Sequence, residues 1–220
     1  MKTIAILVAM PMEAAPLLKR MEGTAHEKTA GMKVLRGRLG EAEIVMHICG
    51  MGMRKAARGT RALIANYQPD LLLNYGVSGG LVPEMGLSDT VVVTSSCPAS
   101  GRDWITADAA PTDAALTELA ARALPDAIRG PAATSIGIIV NKKRKARLVE
   151  KSGALCIDME TCAAAKTARE LGVPLLVIRC MSDTVEPASL LHFFKNGADA
   201  AEKVAAETAL VIKKLVEEDL

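Results

Sequence analysis

Between Gly153 and Glu186 the chain runs GALCIDMETCAAAKTARELGVPLLVIRCMSDTVE, a stretch whose hydrophobic period changes twice. Leu155–Ile157 is a short apolar strand, and Asp158–Leu171 is Ala-rich with helical spacing. Gly172 stops that helix, and Pro174 opens VPLLVIRCM, apolar enough to be buried on both faces. A strand, a helix and a doubly buried strand in succession point to an α/β sheet with helices on both faces. The same stretch sets Asp158, Glu160, Arg179 and Asp183 at or near the ends of its elements.

The rest of the chain repeats this alternation. Thr3–Met10 reads as a first, central parallel strand and Met12–Met21 as the helix after it. Glu13 then stands in the turn at the strand's carboxyl end, where open α/β sheets place ligands, or serves a helix N-terminus electrostatically. The apolar run after Met1-Lys2 meets Pro11 and Glu13, which suit a strand-to-helix turn better than a signal-peptide exit. Lys33–Leu39 and Ala42–Cys49 are strands joined at Gly40-Glu41, and a helix follows from Met53 to Asn66. The Gly50-Met51-Gly52 turn before that helix lacks the third glycine and downstream acid of a dinucleotide site, so an ordinary tight turn is expected.

Pro69-Asp70 opens LLLNYGVSGGL, an apolar strand running into Gly76-Val77-Ser78-Gly79-Gly80. Glycines beyond a buried strand let a ligand approach the backbone closely. Asp89–Thr94 is the next strand, and Ser95–Thr112 is expected to be a long loop carrying Trp104. Asp113–Ala123 reads as helix, Ala133–Val140 as strand, and 188–217 as a long amphipathic helix. The run Lys142-Lys143-Arg144-Lys145-Ala146-Arg147 is expected to be the solvated face of a short helix, with contact to an acidic ligand or partner as the alternative.

Composition narrows the function classes. With 220 residues and no linker, repeat or low-complexity run, one domain is expected. Half of the residues are hydrophobic but only 2% aromatic, so aliphatic side chains and methionine must build the core, and base-stacking nucleic-acid modules are disfavoured. A net charge of +2 offers no general attraction to nucleic acid or anionic lipid. No segment approaches the ~18 apolar residues of a membrane span. Cys49, Cys97, Cys156, Cys162 and Cys180 form neither a CxxC nor a metal-ligand spacing with His, which fits reduced thiols in a cytoplasm. Neither a metal nor an organic cofactor is implied.

Four segments, AMPME at 9–13, NYGVSGGL at 74–81, IDMET at 157–161 and VIRCMSD at 177–183, carry a resemblance. In their order and spacing the chain resembles the nucleoside phosphorylase and nucleosidase superfamily, above all the methylthioadenosine/S-adenosylhomocysteine nucleosidases. The resemblance implies a single α/β domain with a mixed, mostly parallel central sheet flanked by helices. It also implies cleavage of the N-glycosidic bond of a purine nucleoside, and a homodimer, with the Trp104 loop a candidate arm across the interface.

Breaking that bond develops positive charge on the ribose and negative charge on the departing base, as in other glycosyl cleavages. By resemblance Asp183 is the acid at purine N7 and Ser182 orients it. Glu160 grips the ribose hydroxyls with Met159 beneath the sugar, Glu13 activates the attacking water, and Arg179 lies close to that water. Gly79, Val77 and Met10 fall within the same matched segments as substrate-binding positions. A solvated aspartate is ionised at neutral pH, so an acid at Asp183 requires desolvation or a neighbouring negative charge.

Where phosphorylases of the superfamily place cationic and hydroxyl groups around phosphate, this chain has Asn74 and Val77, and Glu13 stands near where an amino-terminal arginine is expected. Water is therefore the expected nucleophile, with phosphate as the alternative. The aromatic residue that stacks on the purine in nucleosidases is missing after 133–140, and the wording around Lys145, Leu148 and Ser152–Leu155 is similar to the hopanoid-associated phosphorylase branch, whose substrate is adenosylhopane. Methionines at 10, 12, 51 and 53 are compatible with a large apolar substituent. Two rivals to a hydrolase of small adenine nucleosides thus stand: an enzyme acting on adenosylhopane at a membrane surface, and a silent nucleoside-binding protein.

Overall fold

A computed structural model describes residues 2–99, 109–185 and 190–219, apart from the side chains of 190–194. Thr3–Val8 (β1) is the central strand, flanked in parallel by Ala42–Ile48 (β4) and Leu71–Gly80 (β5). Its alternation serves two cores at once. Ile4, Ile6 and Val8 join one buried cluster, while Ala5 and Leu7 join another. A strand covered on both faces reads as one continuous apolar run, which is how TIAILV reads.

The first core is closed by the helices Pro11–Leu18 (α1), Ala114–Ala123 (α3) and Leu190–Glu217 (α6). The second is closed by Met53–Tyr67 (α2) and Thr161–Glu170 (α5), which pack on each other. Lys142–Ser152 (α4) covers a third, smaller cluster around Leu81, Cys97 and Leu148. Local chemistry sets several helix ends. The Asp113 and Asn141 side chains accept from the N–H groups of Leu116 and Arg144 at the starts of α3 and α4, and Gly153 ends α4 in the left-handed region.

Beyond β5 lie Leu175–Asp183 (β10), Thr90–Ala99 (β6), Ile128–Ser135 (β8) and Cys156–Asp158 (β9). Because β10 and β9 both pair with β5, the strands β5, β10, β6, β8 and β9 close into a ring. On the other side the sheet opens through β4 to Met32–Leu39 (β3) and Glu22–Thr29 (β2), both antiparallel. Ala110–Pro111 (β7) pairs with β6. The long ladders around β1, β5 and β10 are parallel, in a sheet that is mixed as a whole.

Several expected boundaries move. β5 does not end before its glycines but runs through them, because β10 and β9 supply hydrogen-bond partners on both edges as far as Gly79 and Gly80. β6 extends to Ala99 and β7 occupies 110–111, so 95–112 is not one long loop; Trp104 and residues 100–108 lie outside the described residues. The strand expected over 133–140 is displaced to Ile128–Ser135, since β6 pairs with that segment in parallel, and Ile136, Ile138 and Val140 are left exposed. β2 was missed altogether: it is an edge strand, mostly exposed on both faces, so its sequence EGTAHEKT carries no apolar alternation. The helix α5 begins at Thr161 rather than Asp158, because Asp158 is the last residue of β9 and its carboxylate accepts from the Thr161 N–H.

Candidate active site

The carboxyl ends of β1, β5, β9 and β10 converge on a cavity of about 220 Å³. Glu13, Val77, Gly79, Met10, Met159, Glu160, Ser182 and Asp183, all singled out from the sequence, line it. Arg179 does not; it lies beneath, 2% exposed.

Glu13 projects from the first turn of α1 and is 2% exposed. Its Oε2 accepts from the N–H groups of Ala9 and Met10 at 3.0 and 2.8 Å, and its Oε1 from Val77 at 2.9 Å. The Tyr75 hydroxyl donates to the Glu13 carbonyl at 2.8 Å, fixing the backbone too. Burial pushes the Glu13 pKa up, and the Val77 N–H, the Arg179 charge and the N–H groups of Met10 and Ala9 oppose that rise. A β-carbon at Gly76 would stand 2.4 Å from Oε1, so glycine is what lets the carboxylate lie against β5.

Glu160 precedes α5, and its side chain reaches the start of α2, where the Gly52 N–H donates to its Oε1 at 2.6 Å. Gly52 has φ +108°, a conformation that favours glycine, so the second glycine of the Gly50-Met51-Gly52 turn presents its N–H to a carboxylate. Burial first, and the Asp158 charge second, push the Glu160 pKa up to about 7. Asp158 holds the arginine: Arg179 Nε donates to its Oδ2 at 2.8 Å. Thr134 Oγ1 donates to Asp158 Oδ1 at 2.7 Å, and the Thr161 hydroxyl donates to Oδ2. Arg179 also donates to the Asn74 amide oxygen and to Thr161 Oγ1. A buried guanidinium with several acceptors is a fixed positive charge, and it lies behind both carboxylates rather than in the cavity.

Asp183 ends β10, against Gly79 of β5, where a β-carbon would stand 2.9 Å from its Oδ1. Glu13 and Asp183 therefore bear on β5 at Gly76 and Gly79, three residues apart, roughly 10 Å along a strand. The Ser182 hydroxyl is buried and donates to the Ser78 carbonyl at 3.3 Å.

The basic run departs from expectation at one position. Lys142, Lys143, Arg144 and Arg147 are exposed, whereas Lys145 is 1% exposed and lines the cavity. Its Nζ stands 3.7 Å from Asp183 Oδ2 and donates to the carbonyls of Thr184 and Gly80 at 2.9 and 3.4 Å. The sequence did hold a signal. Lys145 lies three residues before the buried Leu148, on the inward face of α4. Ala9, Met51, Ile138, Ile139 and Ile157 make the other apolar walls, and Ser78, Ser135 and Asp158 complete the lining.

Burial pushes the thiols of Cys49 and Cys156 up to about 12 and that of Cys180 up to about 11, far from thiolate nucleophiles. No group of three or more His, Cys, Asp or Glu that could hold a metal occurs among the described residues.

Residues 3–217 match the family model of the phosphorylase superfamily. The chain belongs to that superfamily. A 5′-methylthioadenosine/S-adenosylhomocysteine nucleosidase from Geobacillus kaustophilus (strain HTA426) is 31% identical over 222 residues, covering 94% of each chain. One of the same description from Geobacillus thermodenitrificans (strain NG80-2) is 30% identical over 229 residues, covering 97% of each. Among solved structures, the nucleosidase from Neisseria meningitidis in complex with methylthio-immucillin-A superposes with a TM-score of 0.88 at 23% identity, over 98% of this chain and 100% of that one. The S. pneumoniae enzyme with a transition-state inhibitor gives 0.89 at 23% identity, over 97% and 99%. This member of the phosphorylase superfamily is thus an enzyme of the nucleosidase or nucleoside phosphorylase type, with the single-domain α/β fold of those structures.

Proposed function

We propose that the protein is a purine nucleosidase that hydrolyses the N-glycosidic bond of an adenine nucleoside of the methylthioadenosine/S-adenosylhomocysteine type. The observation that carries this reading is the convergence of Glu13, Glu160 and Asp183, from three separate elements, on one largely apolar cavity. Asp183 donates its proton to purine N7 as the bond from the anomeric carbon to N9 breaks and its electron pair passes into the base. Glu13 takes a proton from the water that attacks the anomeric carbon, and Glu160 accepts from the ribose hydroxyls with Met159 against the sugar. The base leaves neutral, and the sugar keeps the water's oxygen. Arg179 is a positioning residue in this scheme, since its guanidinium acts through Asp158, Asn74 and Thr161.

Water is favoured over phosphate by the charge of the walls. Among the described residues the cavity is lined by four carboxylates and a single cation, and that cation already faces Asp183. A phosphate dianion approaching Glu13 meets like charge, whereas a neutral water does not. Arg54 and Lys55, basic residues beside the Gly50-Met51-Gly52 turn, are exposed and do not line the cavity.

A second reading, release of adenine from adenosylhopane, draws on the cavity rim. Met51 is 53% and Ile138 61% exposed, and Ile136 and Val140 stand out beside Ile138 in sequence, an apolar surface suited to a bulky 5′ substituent. Adenine release from methylthioadenosine, S-adenosylhomocysteine and adenosine, with and without phosphate, tests both, with Asp183→Asn as control. Phosphate-independent release that the control abolishes is expected. No release from any of the three, with activity on a detergent-dispersed adenosylhopane, transfers the assignment to the second reading. Tight adenine-nucleoside binding without turnover of any substrate overturns the enzyme reading of this site.

A further inference from the structure

Lys145 is out of place in its own sequence run. A lysine is rarely fully buried without a partner, and this one lies on the inward face of α4 and lines the cavity. Its surroundings satisfy it in two protonation states. As an ammonium it has three donors: two serve the Thr184 and Gly80 carbonyls, and the third is left on the side of the Asp183 carboxylate, at an ion-pair distance of 3.7 Å. As a neutral amine it has two donors for the same carbonyls and one lone pair left for the Asp183 side, which accepts from a protonated carboxyl once Nζ and Oδ2 close from 3.7 Å to hydrogen-bond distance.

We propose that Lys145 and Asp183 hold one transferable proton between them, and that Lys145 is the positioning residue that keeps Asp183 supplied as the acid at the departing base. The inference rests on the reading of Asp183 as that acid. As Nζ and Oδ2 close from 3.7 Å to hydrogen-bond distance the proton moves from Nζ to Oδ2, leaving the N–H electron pair on nitrogen, and it passes from Oδ2 to purine N7 as the glycosidic electrons enter the base. The pair is left as amine and carboxylate, and regains a proton from solvent once the base departs.

This arrangement removes a difficulty. A cation beside Asp183 favours its ionised form, the reverse of what an isolated acid needs. A shared proton belongs to the pair, and it is lost only when the lysine side of the pair gives it up. Burial lowers the Lys145 pKa and the Asp183 charge opposes that fall. The other charged groups around the cavity are Glu13 from α1, Asp158 from β9, Glu160 from α5 and, beneath it, Arg179 from β10. Asp183 is the carboxylate recorded within ion-pair distance of Nζ among the described residues. On α4 itself Lys142, Lys143, Arg144 and Arg147 face outward.

The test is the alkaline limb of kcat against pH with methylthioadenosine, for the wild type, Lys145→Gln and Lys145→Arg, each checked for an unchanged fold by circular dichroism. In the wild type the limb reports loss of the pair's proton. In Lys145→Gln it reports Asp183 alone and is expected at least about one pH unit lower, with kcat at neutral pH down ~10- to 100-fold. Lys145→Arg keeps the charge but holds its proton, so its limb is expected lowest of the three. Coincident limbs, whatever the loss in kcat, overturn the proposal. Asp183→Asn separates the two ideas: full activity in that variant sinks the acid reading itself. Lack of that activity, with limbs unmoved at 145, sinks only the shared proton. A readout without turnover uses ¹³Cε-labelled lysine, with the Lys145 signal assigned by its absence from Lys145→Gln. Its titration is expected to move to lower pH in Asp183→Asn, and an unmoved titration counts against the pair as decisively as coincident limbs.

Discussion

At one end of the cavity Glu13 and Glu160 are held by the backbone N–H groups of Ala9, Met10, Val77 and Gly52, with the Arg179 charge beneath them. At the other end Asp183 faces an ammonium brought in by a helix from a different part of the chain. The first end is built by main-chain geometry at strand and helix ends, so its donors cannot be deleted by a side-chain change. At the second, the charge contact is between two side chains, each removable by one substitution. Backbone donors also cannot give up or regain protons in the pH range of life, whereas a lysine and a carboxylate can. The molecule therefore has one end where main-chain donors hold the carboxylates in place and another where two titratable side chains face each other.

The largest effect is expected from Asp183→Asn, which removes the transferable proton and keeps the shape. A loss of ~10³-fold or more in kcat is expected, with a melting temperature within a few degrees of the wild type. Steady-state adenine release and a thermal melt check this. A loss below tenfold erases the functional contrast between the two ends.

Glu13→Gln is expected to cost ~10²-fold in kcat and, unlike Asp183→Asn, to destabilise the fold. Its carboxylate receives three backbone N–H bonds, and an amide turns one NH2 toward those donors. A buried donor left without an acceptor costs about 1–3 kcal/mol. Urea unfolding measured beside kinetics separates the two consequences. Equal stability of the two variants breaks the claim that main-chain donors hold the Glu13 carboxylate in place.

Gly76→Ala tests the same end without touching a reactive group. Its β-carbon would overlap Glu13 Oε1, and the carboxylate has no free direction, being held from both sides. A loss of ~10-fold in kcat and a destabilisation of about 1–3 kcal/mol are expected. Retained activity means that the carboxylate can shift without consequence, which weakens the role given to Glu13.

Glu160 supplies the pH dependence of this end. Its carboxyl is raised from the ordinary 4.5 to about 7, so the native state holds a proton that the unfolded chain has lost. The stabilisation is fully present below about pH 4.5 and disappears as pH rises through about 7, up to about 3 kcal/mol in all. In Glu160→Gln that slope is expected to flatten between pH 5 and 8, while KM rises ~10-fold and kcat falls less. An unchanged slope in unfolding free energy against pH refutes this account of Glu160.

What the sequence revealed follows the same division. The strand, turn and helix around Glu13 and around Asp158–Glu160 lie within short runs of chain, and the chemistry of each run is local: apolar strand, acid at the element end, glycine where the backbone must pass close. Those features are readable without knowing the fold, and the resemblance carried them onto Glu13, Glu160 and Asp183. Lys145 was not legible in this way, because five cations in six residues look solvated until it is known that Leu148 faces inward and that β10 ends above it. β8 was misplaced for a related reason. Pairing with β6 makes a strand of IRGPAATS, and the more apolar IGIIV is left at the cavity rim, where Ile139 is buried and its neighbours are not. The edge strand β2 had no apolar pattern to read, since almost none of it is buried. Arg179 was read as lying beside the water. The Asp158 carboxylate that draws it beneath the cavity was visible in the sequence, but the Asn74 and Thr161 oxygens beside it are brought there by the sheet.

The smallest expected effect sharpens the contrast within the basic run itself. Lys143 is two residues from Lys145 and chemically identical, but α4 turns it into solvent. Lys143→Ala is expected to change stability by no more than about 0.5 kcal/mol, and to leave kcat, KM and the alkaline limb where they are. A simple solvated face predicts the same null result at both low and high salt. If instead KM rises in Lys143→Ala at low ionic strength and the difference vanishes in salt, the exposed face attracts an acidic ligand at long range. The basic run would then do two jobs, with Lys145 acting on Asp183 from inside the cavity and its neighbours drawing substrate from outside it.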